Sequence, residues 1–309
     1  MSRIAYLGPA GTFTEAALIQ LSTAGMVPGC EATQPIPVDS TPAALDAVRC
    51  GSADYACAPI ENSIEGGVSP TLDSLAMDAP LQIFAETTLD VDFTIVVGPE
   101  RSAPQVRTVA AHPVAAGQVR RWLAAHLPGA EVVPANSNAA AARQVADGRA
   151  DAGVCTALAA AQCGLMVLAE GVVDEPTART RFVLVGAPGP APARTGADRT
   201  SVVLQVANAP GALVAALAEF GIRGIDLTRI ESRPTRTGLG SYLFFLDCVG
   251  HIEDAAVGEA LQALHRRCAQ VRYLGSWPTG DAVGAVPPRL DEAARWLARL
   301  RAGRPEEPR

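Results

Sequence analysis

Short apolar runs alternate along this chain with stretches whose apolar residues recur every three or four positions. Residues 4–7 (Ile-Ala-Tyr-Leu) read as a strand that breaks at Gly8-Pro9 and restarts as a helix near residues 12–21. Residues 109–111 follow the same grammar: a strand, a break at His112-Pro113, then a helix over 115–127 with Trp122 and Leu123 on its apolar stripe. Residues 93–97 and 182–185 are further strands, late in each half, where they could carry the chain between two lobes. Strands alternating with helices predict an α/β fold whose sheets are covered by helices.

Two stretches say nearly the same thing. Residues 40–60 (STPAALDAVRCGSADYACAPI) and 137–157 (SNAAAARQVADGRADAGVCTA) align without a gap, Gly148 falling 97 residues after Gly51. Each reads as a helix ending in Gly, then Ala-Asp, then a short apolar strand, with Ser40/Ser137, Ala44/Ala141, Val48/Val145 and Asp54/Asp151 among the identities. That period is too long for a solenoid. It suits two similar lobes enclosing a cleft on which polar groups from both converge.

After Gly186 the composition shifts to APGPAPARTGADR, a Pro/Gly/Ala stretch without periodicity that reads as a linker. A new domain opens at Thr200: strand 201–206, helix 211–220, strand 226–232, strand 242–249, helix 253–268, strand 271–274. That is the βαββαβ order of a ferredoxin-like fold. A tail follows with a short Arg-rich amphipathic helix at 290–300, read as a solvated helix with docking on a neighbour as the alternative.

Composition narrows the chemistry. At 309 residues, 49% apolar and 18% charged, the chain is globular and long enough for two domains with their own cores. Its N-terminus lacks a charged segment followed by an apolar one, and no run approaches a membrane span, so a cytoplasmic protein without membrane contact is expected. Seven cysteines without a C-x-x-C pair read as reduced core residues. A net charge of −7 argues against a nucleic-acid partner. All 25 basic residues are arginine, which removes a Walker phosphate loop, a pyridoxal-phosphate Schiff base and a lysine aldolase. No G-x-G-x-x-G follows a strand, and the four histidines are too scattered for a ligand pair, so neither a dinucleotide nor a metal is expected. What remains is cofactor-free acid–base chemistry, or binding.

Four clusters sit just beyond strand ends, where such lobes place cleft residues. Gly11-Thr12-Phe13-Thr14 combines a tight turn with hydroxyls at a helix N-terminus, where free N–H groups and the macrodipole favour a carboxylate; a plain helix cap is the rival reading. Glu61-Asn62-Ser63 places a carboxylate, an amide and a hydroxyl in succession, more than a turn requires, where the second copy carries Leu158-Ala159-Ala160. His112 with Gln118, and Ser137-Asn138 at a helix start, form the third, with a structural histidine and a simple cap as alternatives. Thr180-Arg181-Phe182 is the fourth. An arginine beside a strand entering the core needs an anionic partner, which could be Asp174, Glu175 or a ligand carboxylate.

At these residues the chain resembles the prephenate dehydratase family. Gly8-Pro9-x-Gly11-Thr12-Phe13, Pro59-Ile60-Glu61-Asn62-Ser63, His112-Pro113 with Gln118, and Thr180-Arg181-Phe182 stand in that family's order and spacing. Asn208-x-Pro210-Gly211-Ala212-Leu213 and Glu231-Ser232-Arg233-Pro234 are similar to the phenylalanine-sensing form of the ACT regulatory domain. The resemblance implies a two-lobed periplasmic-binding-protein-like catalytic domain at residues 3–189, a linker at 190–199, a ferredoxin-like ACT domain at 200–280 and a tail at 281–309. No helical chorismate mutase segment precedes residue 3, which points to the monofunctional form. Two places depart from the family pattern: Ala111 stands where many members have Ser before His-Pro, and Thr177-Ala178-Arg179 where an Asn is common.

The resemblance implies conversion of prephenate to phenylpyruvate with loss of CO2 and water, without a cofactor because aromatisation supplies the driving force. It implies that Thr180 contacts the leaving hydroxyl. Arg181 and the helix terminus at Thr12, Phe13 and Thr14 would take the carboxylates, with Asn62, Ser63, Gln118, Ser137, Asn138 and Phe182 completing the substrate contacts. A threonine hydroxyl is a very weak acid, so Glu61, if burial raises its pKa, is the better candidate for the transferred proton. Phenylalanine is implied as the effector, held near Asn208, Gly211, Ala212 and Leu213 and near Glu231, Ser232, Arg233 and Pro234 between paired domains of a dimer or tetramer. The alternatives are an arogenate dehydratase, whose substrate has an amine in place of the ketone, and a cytosolic amino-acid sensor with no chemistry.

Overall fold

The structure is a computed structural model, and it describes residues 1–29, 32–98, 103–236, 238, 240–279, 284, 286 and 291–304. The chain forms two compact units, one of Met1–Leu72 with Thr87–Val185 and one of Asp73–Glu86 with Gly186–Arg309. The compact units therefore do not follow a single cut of the chain near residue 189. Among the described residues no helix is long and apolar enough to cross a membrane.

The chain opens with β1 (Ser2–Leu7), α1 (Phe13–Thr23), β2 (Thr33–Val38), α2 (Thr41–Arg49), β3 (Tyr55–Asn62), β4 (Gly66–Gly67), α3 (Ser69–Met77) and β5 (Gln82–Asp90). The second lobe contributes β6 (Phe93–Val97), β7 (Thr108–Ala111), α4 (Pro113–Gln118), α5 (Arg120–His126), β8 (Glu131–Pro134), α6 (Asn138–Ala146), β9 (Ala152–Cys155), α7 (Ala157–Gln162) and β10 (Met166–Val172), and β11 (Arg179–Gly186) returns to the first. The first sheet has the order β2-β1-β3-β11-β5 with β4 on β3, and the second the order β10-β6-β9-β7-β8. Each lobe is built on parallel neighbours, β1 with β2 and β3, and β7 with β8 and β9.

The internal repeat is a repeat of hydrogen bonds. Ser40 caps α2 by accepting from the Ala43 N–H at 3.2 Å, and Ser137 caps α6 by accepting from Ala140 at 3.0 Å. Gly51 and Gly148 leave their helices at φ +73° and +70°, a conformation side-chain-bearing residues rarely adopt. Asp54 then accepts from the Arg3 N–H, and Asp151 from Arg107 and Thr108, tying each helix end to the neighbouring parallel strand.

The second sheet is covered on both faces. Ile95, Val109, Ala111 and Val154 point to a core closed by Ala115, Val119 and Leu123, while Val96, Ala110 and Cys155 point to Ala141, Ala142, Val145 and Ala159. Where one helix is expected over 115–127, the chain forms two. Asp174 causes the break: its N–H donates to the Gln118 carbonyl at 2.6 Å and its carboxylate accepts from the Arg121 N–H at 3.2 Å. Asp174 and Glu175, which contacts the Arg121 guanidinium, therefore serve Arg121. The chain crosses between lobes at 91–92 and 173–178, and the Val91 N–H donates to the Ala178 carbonyl at 2.7 Å, binding the two crossings together. Strand 93–97 belongs to the second sheet itself. Six free cysteines lie among the described residues; Cys57, Cys155 and Cys248 are buried as expected, but Cys50 is exposed.

The second unit contains β12 (Asp198–Gln205), α8 (Ala212–Gly221), β13 (Leu227–Pro234), β14 (Tyr242–Val249), α9 (Ala255–Arg267) and β15 (Gln270–Pro278), followed by α10 (Asp291–Arg301). Its antiparallel sheet has the order β13-β14-β12-β15, as βαββαβ connectivity requires. Both helices pack on one face, Phe220, Val257, Ala260 and Leu264 against Val202, Leu204 and Leu246. Residues 73–86 join this unit through charge and close packing. Arg233 meets Asp73 with two bonds of 3.0 Å, and Arg272 donates to the carbonyls of Leu75 and Asp78 at the end of α3. Glu86 accepts from the Trp277 indole at 3.0 Å and stands 3.4 Å from Arg199. At Gly275 a Cβ would collide with the Ile83 carbonyl oxygen, so only glycine fits.

Candidate active site

Two groups of polar side chains gather at the end of the first sheet toward which β1 and β3 run. The first joins β3 to β11. Glu61 and Asn62 are the last residues of β3, paired with Gly67 and Gly66 in a tight hairpin. The side-chain oxygen of Asn62 accepts from the Ile64 and Glu65 N–H groups at 2.8 and 3.0 Å, which fixes the amide so that its nitrogen faces β11. That nitrogen donates to the Thr180 Oγ1 at 2.9 Å. Ser63 stitches the same junction: its N–H donates to the Arg179 carbonyl and its hydroxyl accepts from the Arg179 N–H at 2.9 Å.

Strand β11 starts earlier than the apolar run at 182–185, so Thr180 and Arg181 lie within it. The partner of Arg181 is Glu61, at 2.9 Å, and neither Asp174 nor Glu175. The guanidinium is buried, whereas the Glu61 side chain is 37% exposed. Glu61 is thus the charge partner of a buried guanidinium.

The second group lines a cleft of about 930 Å³ in the first unit. Thr12, Phe13 and Thr14 at the start of α1, His112 before α4, and Ser137 and Asn138 at the start of α6 all line it. The Thr12 hydroxyl is spent locally, donating to the Leu7 carbonyl and accepting from the Glu15 N–H. Glu15 in turn accepts from the Gly11 N–H at 2.6 Å, from Gln162 at 3.0 Å and from the Tyr6 hydroxyl at 3.2 Å. Burial, with the Glu15 charge beside it, pushes the Tyr6 phenol up to about 12. Thr156 donates to the Gly11 carbonyl at 2.6 Å, so the 8–12 loop is clamped to α7. Asn138 keeps a buried side-chain oxygen with no partner among the described residues.

The family model described as prephenate dehydratase matches residues 4–190, and that of the ACT domain matches residues 200–266. The chain belongs to the prephenate dehydratase family. The prephenate dehydratase of Mycobacterium tuberculosis (strain ATCC 25618 / H37Rv) is 73% identical over 309 residues, covering 99% of this chain and 96% of that protein. A crystal structure of prephenate dehydratase in complex with L-Phe from Arthrobacter aurescens matches with a TM-score of 0.86 at 42% identity, covering 97% of this chain and all 100% of that one. GqqA, described as a novel type of quorum quenching acylase, matches with a TM-score of 0.79 at 29% identity over 90% of this chain and 98% of its own. One fold thus carries differing chemistries, and the reaction has to be argued from side chains.

Within this prephenate dehydratase family member, Phe182 is buried in β11, and Gln118 does not line the cleft, its side-chain oxygen being buried without a partner among the described residues. Three polar lining residues went unread in the sequence: Asp39, Asn136 and Arg143. The first two flank the repeated caps Ser40 and Ser137, a signal that was available; Arg143 sits in an alanine-rich helix that reads as solvated. The Thr12 cap of α1 was likewise legible. Among the described residues no cluster of three or more His, Cys, Asp or Glu side chains is placed to hold a metal.

In the ACT unit, Gly211 adopts φ +78° as the cap residue of α8, with Ala212 and Leu213 following it. Glu231, Ser232, Arg233 and Pro234 end β13 opposite Phe245, Phe244, Leu243 and Tyr242. A Cβ on Gly240, near the β13–β14 turn, would stand 3.3 Å from the Asn208 amide nitrogen, so that turn adjoins Asn208.

Proposed function

We propose that the chain converts prephenate to phenylpyruvate. The dianion takes up one proton and gives the phenylpyruvate anion, CO2 and water. Electrons of the ring carboxylate flow into the ring as CO2 departs and expel the C4 hydroxyl, so negative charge moves from carboxylate to leaving oxygen. The protein has to orient the dianion and meet the charge that develops on that oxygen.

The Asn62–Thr180 bond carries this reading. Because Asn62 donates to the Thr180 oxygen, the hydroxyl hydrogen of Thr180 points elsewhere and is available to the leaving group. Glu61 and Arg181 lock β3 to β11 as an ion pair, and the start of α1 takes the side-chain carboxylate with Phe13 and Thr14 beside it. Ser137 and Asn138 supply neutral contacts from the second lobe. The test is kinetic. Thr180→Val should lower kcat about 10²–10³-fold, the loss typical of one donor to developing charge, with little change in KM, and Thr180→Ser should recover most of it. A Thr180→Val enzyme with native kcat would overturn the assignment.

Phenylalanine, the ligand of the Arthrobacter relative, is the proposed feedback inhibitor, acting in a cytoplasmic homo-oligomer whose ACT domains pair. What supports this is the adjoining of Asn208 to the β13–β14 turn and the open space at Gly211, where no atom lies within 4 Å of a built Cβ. Gly211→Trp should abolish inhibition by phenylalanine while turnover persists. The catalytic domain at 3–189, linker at 190–199, ACT domain at 200–280 and tail at 281–309 are the proposed functional divisions.

A further inference from the structure

Helix α6 presents Ser137, Ala140 and Arg143 to the cleft, three residues spaced three apart and so on one face. Arg143 is the one guanidinium among the residues lining that cleft, and it is exposed. Among the described residues no carboxylate pairs with it; its Nη2 donates to the Ala10 carbonyl at 3.4 Å. Other arginines of the same unit are matched: Arg181 with Glu61, Arg179 with Asp90, Arg3 with Asp54, Arg121 with Glu175. The Gly11 N–H, just before α1, is already taken by Glu15.

We infer that Arg143 is the counter-ion for the carboxylate that survives the reaction, the one on the three-carbon side chain. The inference rests on the dehydratase reading and follows from where charge goes. The ring carboxylate leaves as neutral CO2, so a cation placed on it would stabilise the ground state more than the transition state and slow the reaction. The side-chain carboxylate keeps its charge throughout. A guanidinium there binds substrate and transition state alike, which lowers KM and leaves the chemical step untouched. Arg181 does not take this part, because its charge is met by Glu61 at 2.9 Å. The guanidinium on α6 faces the same cleft as Phe13 and Thr14, so charge and helix terminus act on one carboxylate.

The test compares Arg143→Gln and Arg143→Lys with the native full-length enzyme, using prephenate turnover and competitive inhibition by phenylpyruvate, which keeps the side-chain carboxylate and lacks the ring one. Arg143→Gln should raise KM about 10–100-fold, the range for a lost charge-assisted bond, with a much smaller fall in kcat, and should raise the phenylpyruvate inhibition constant by the same factor. Arg143→Lys should recover part of both. Unchanged KM and inhibition constant would overturn the inference and leave Arg143 as a contact to Ala10. A raised KM with unchanged phenylpyruvate inhibition would overturn it too, by placing Arg143 on the ring carboxylate. A native enzyme inert toward prephenate would remove the dehydratase reading itself, and the inference with it.

Discussion

The Thr180 hydroxyl is held from a neighbouring strand. Asn62 is fixed by two main-chain donors of its own hairpin, and its amide then fixes the hydroxyl of Thr180. Asn62→Ala should therefore lower kcat by about tenfold or more with Thr180 intact, as expected when a hydroxyl loses its orientation; native kcat in that variant would contradict the chain of bonds. None of this was visible along the sequence, where Asn62 and Thr180 stand 118 positions apart. The partner of Arg181 was missed for the same reason: Glu61 is remote in sequence, while Asp174 and Glu175 are close and committed elsewhere. At Gly275 the requirement is steric. Gly275→Ala should cost on the order of 3 kcal/mol, read as a lowered denaturation midpoint, because the Ile83 backbone cannot retreat as a side chain would.

Among elements, the duplicated helix-Gly-Ala-Asp-strand unit was fully legible, since helix caps, C-terminal glycines and strand alternation are local properties. Its two copies then diverge in use. Ser40 and Ser137 make the same cap, but only Ser137 lines the cleft. Ser40→Ala and Ser137→Ala should each cost about 1 kcal/mol of stability in chemical denaturation, and only Ser137→Ala should weaken substrate binding. Equal kinetic effects would contradict the specialisation of the second lobe. Boundaries were legible where apolarity ends abruptly, as at 93–97 and 242–249. They failed where polar residues continue a strand: Arg179, Thr180 and Arg181 pair in β11 because Ser63, Asn62 and Glu61 satisfy them. The helix over 115–127 failed because Asp174, from a distant loop, replaces the bonds at its middle.

For the molecule as a whole, buried charge and buried thiols set the conditions it tolerates. Glu86, Arg199, Asp247 and Arg229 form a chain of alternating charge, all under 10% exposed at the side chain. Asp247→Asn leaves two guanidinium groups short of a counter-charge and should cost about 3–5 kcal/mol in the second unit. Burial pushes the thiols of Cys57, Cys155 and Cys248 up to about 12 from an ordinary 9.0, and the Tyr6 phenol up to about 12 from 10.0. Each group gives up its proton more readily in the unfolded chain. The stability they contribute is complete below pH 9 and is lost as pH rises toward 12. Denaturation midpoints should fall across that window, and a flat profile would show that these groups are not buried. Two-domain order and the βαββαβ pattern were legible at this scale. The allegiance of residues 73–86 was not, because it rests on Arg233, Arg272 and Trp277 reaching far back along the chain.

Formation of phenylpyruvate from prephenate, followed by its ultraviolet absorbance with purified full-length protein in the presence and absence of phenylalanine, tests the account most directly. Turnover that phenylalanine suppresses is the predicted result. A protein that binds phenylalanine yet leaves prephenate unchanged would contradict it, and would leave Thr180 and Asn62 without a reaction to serve.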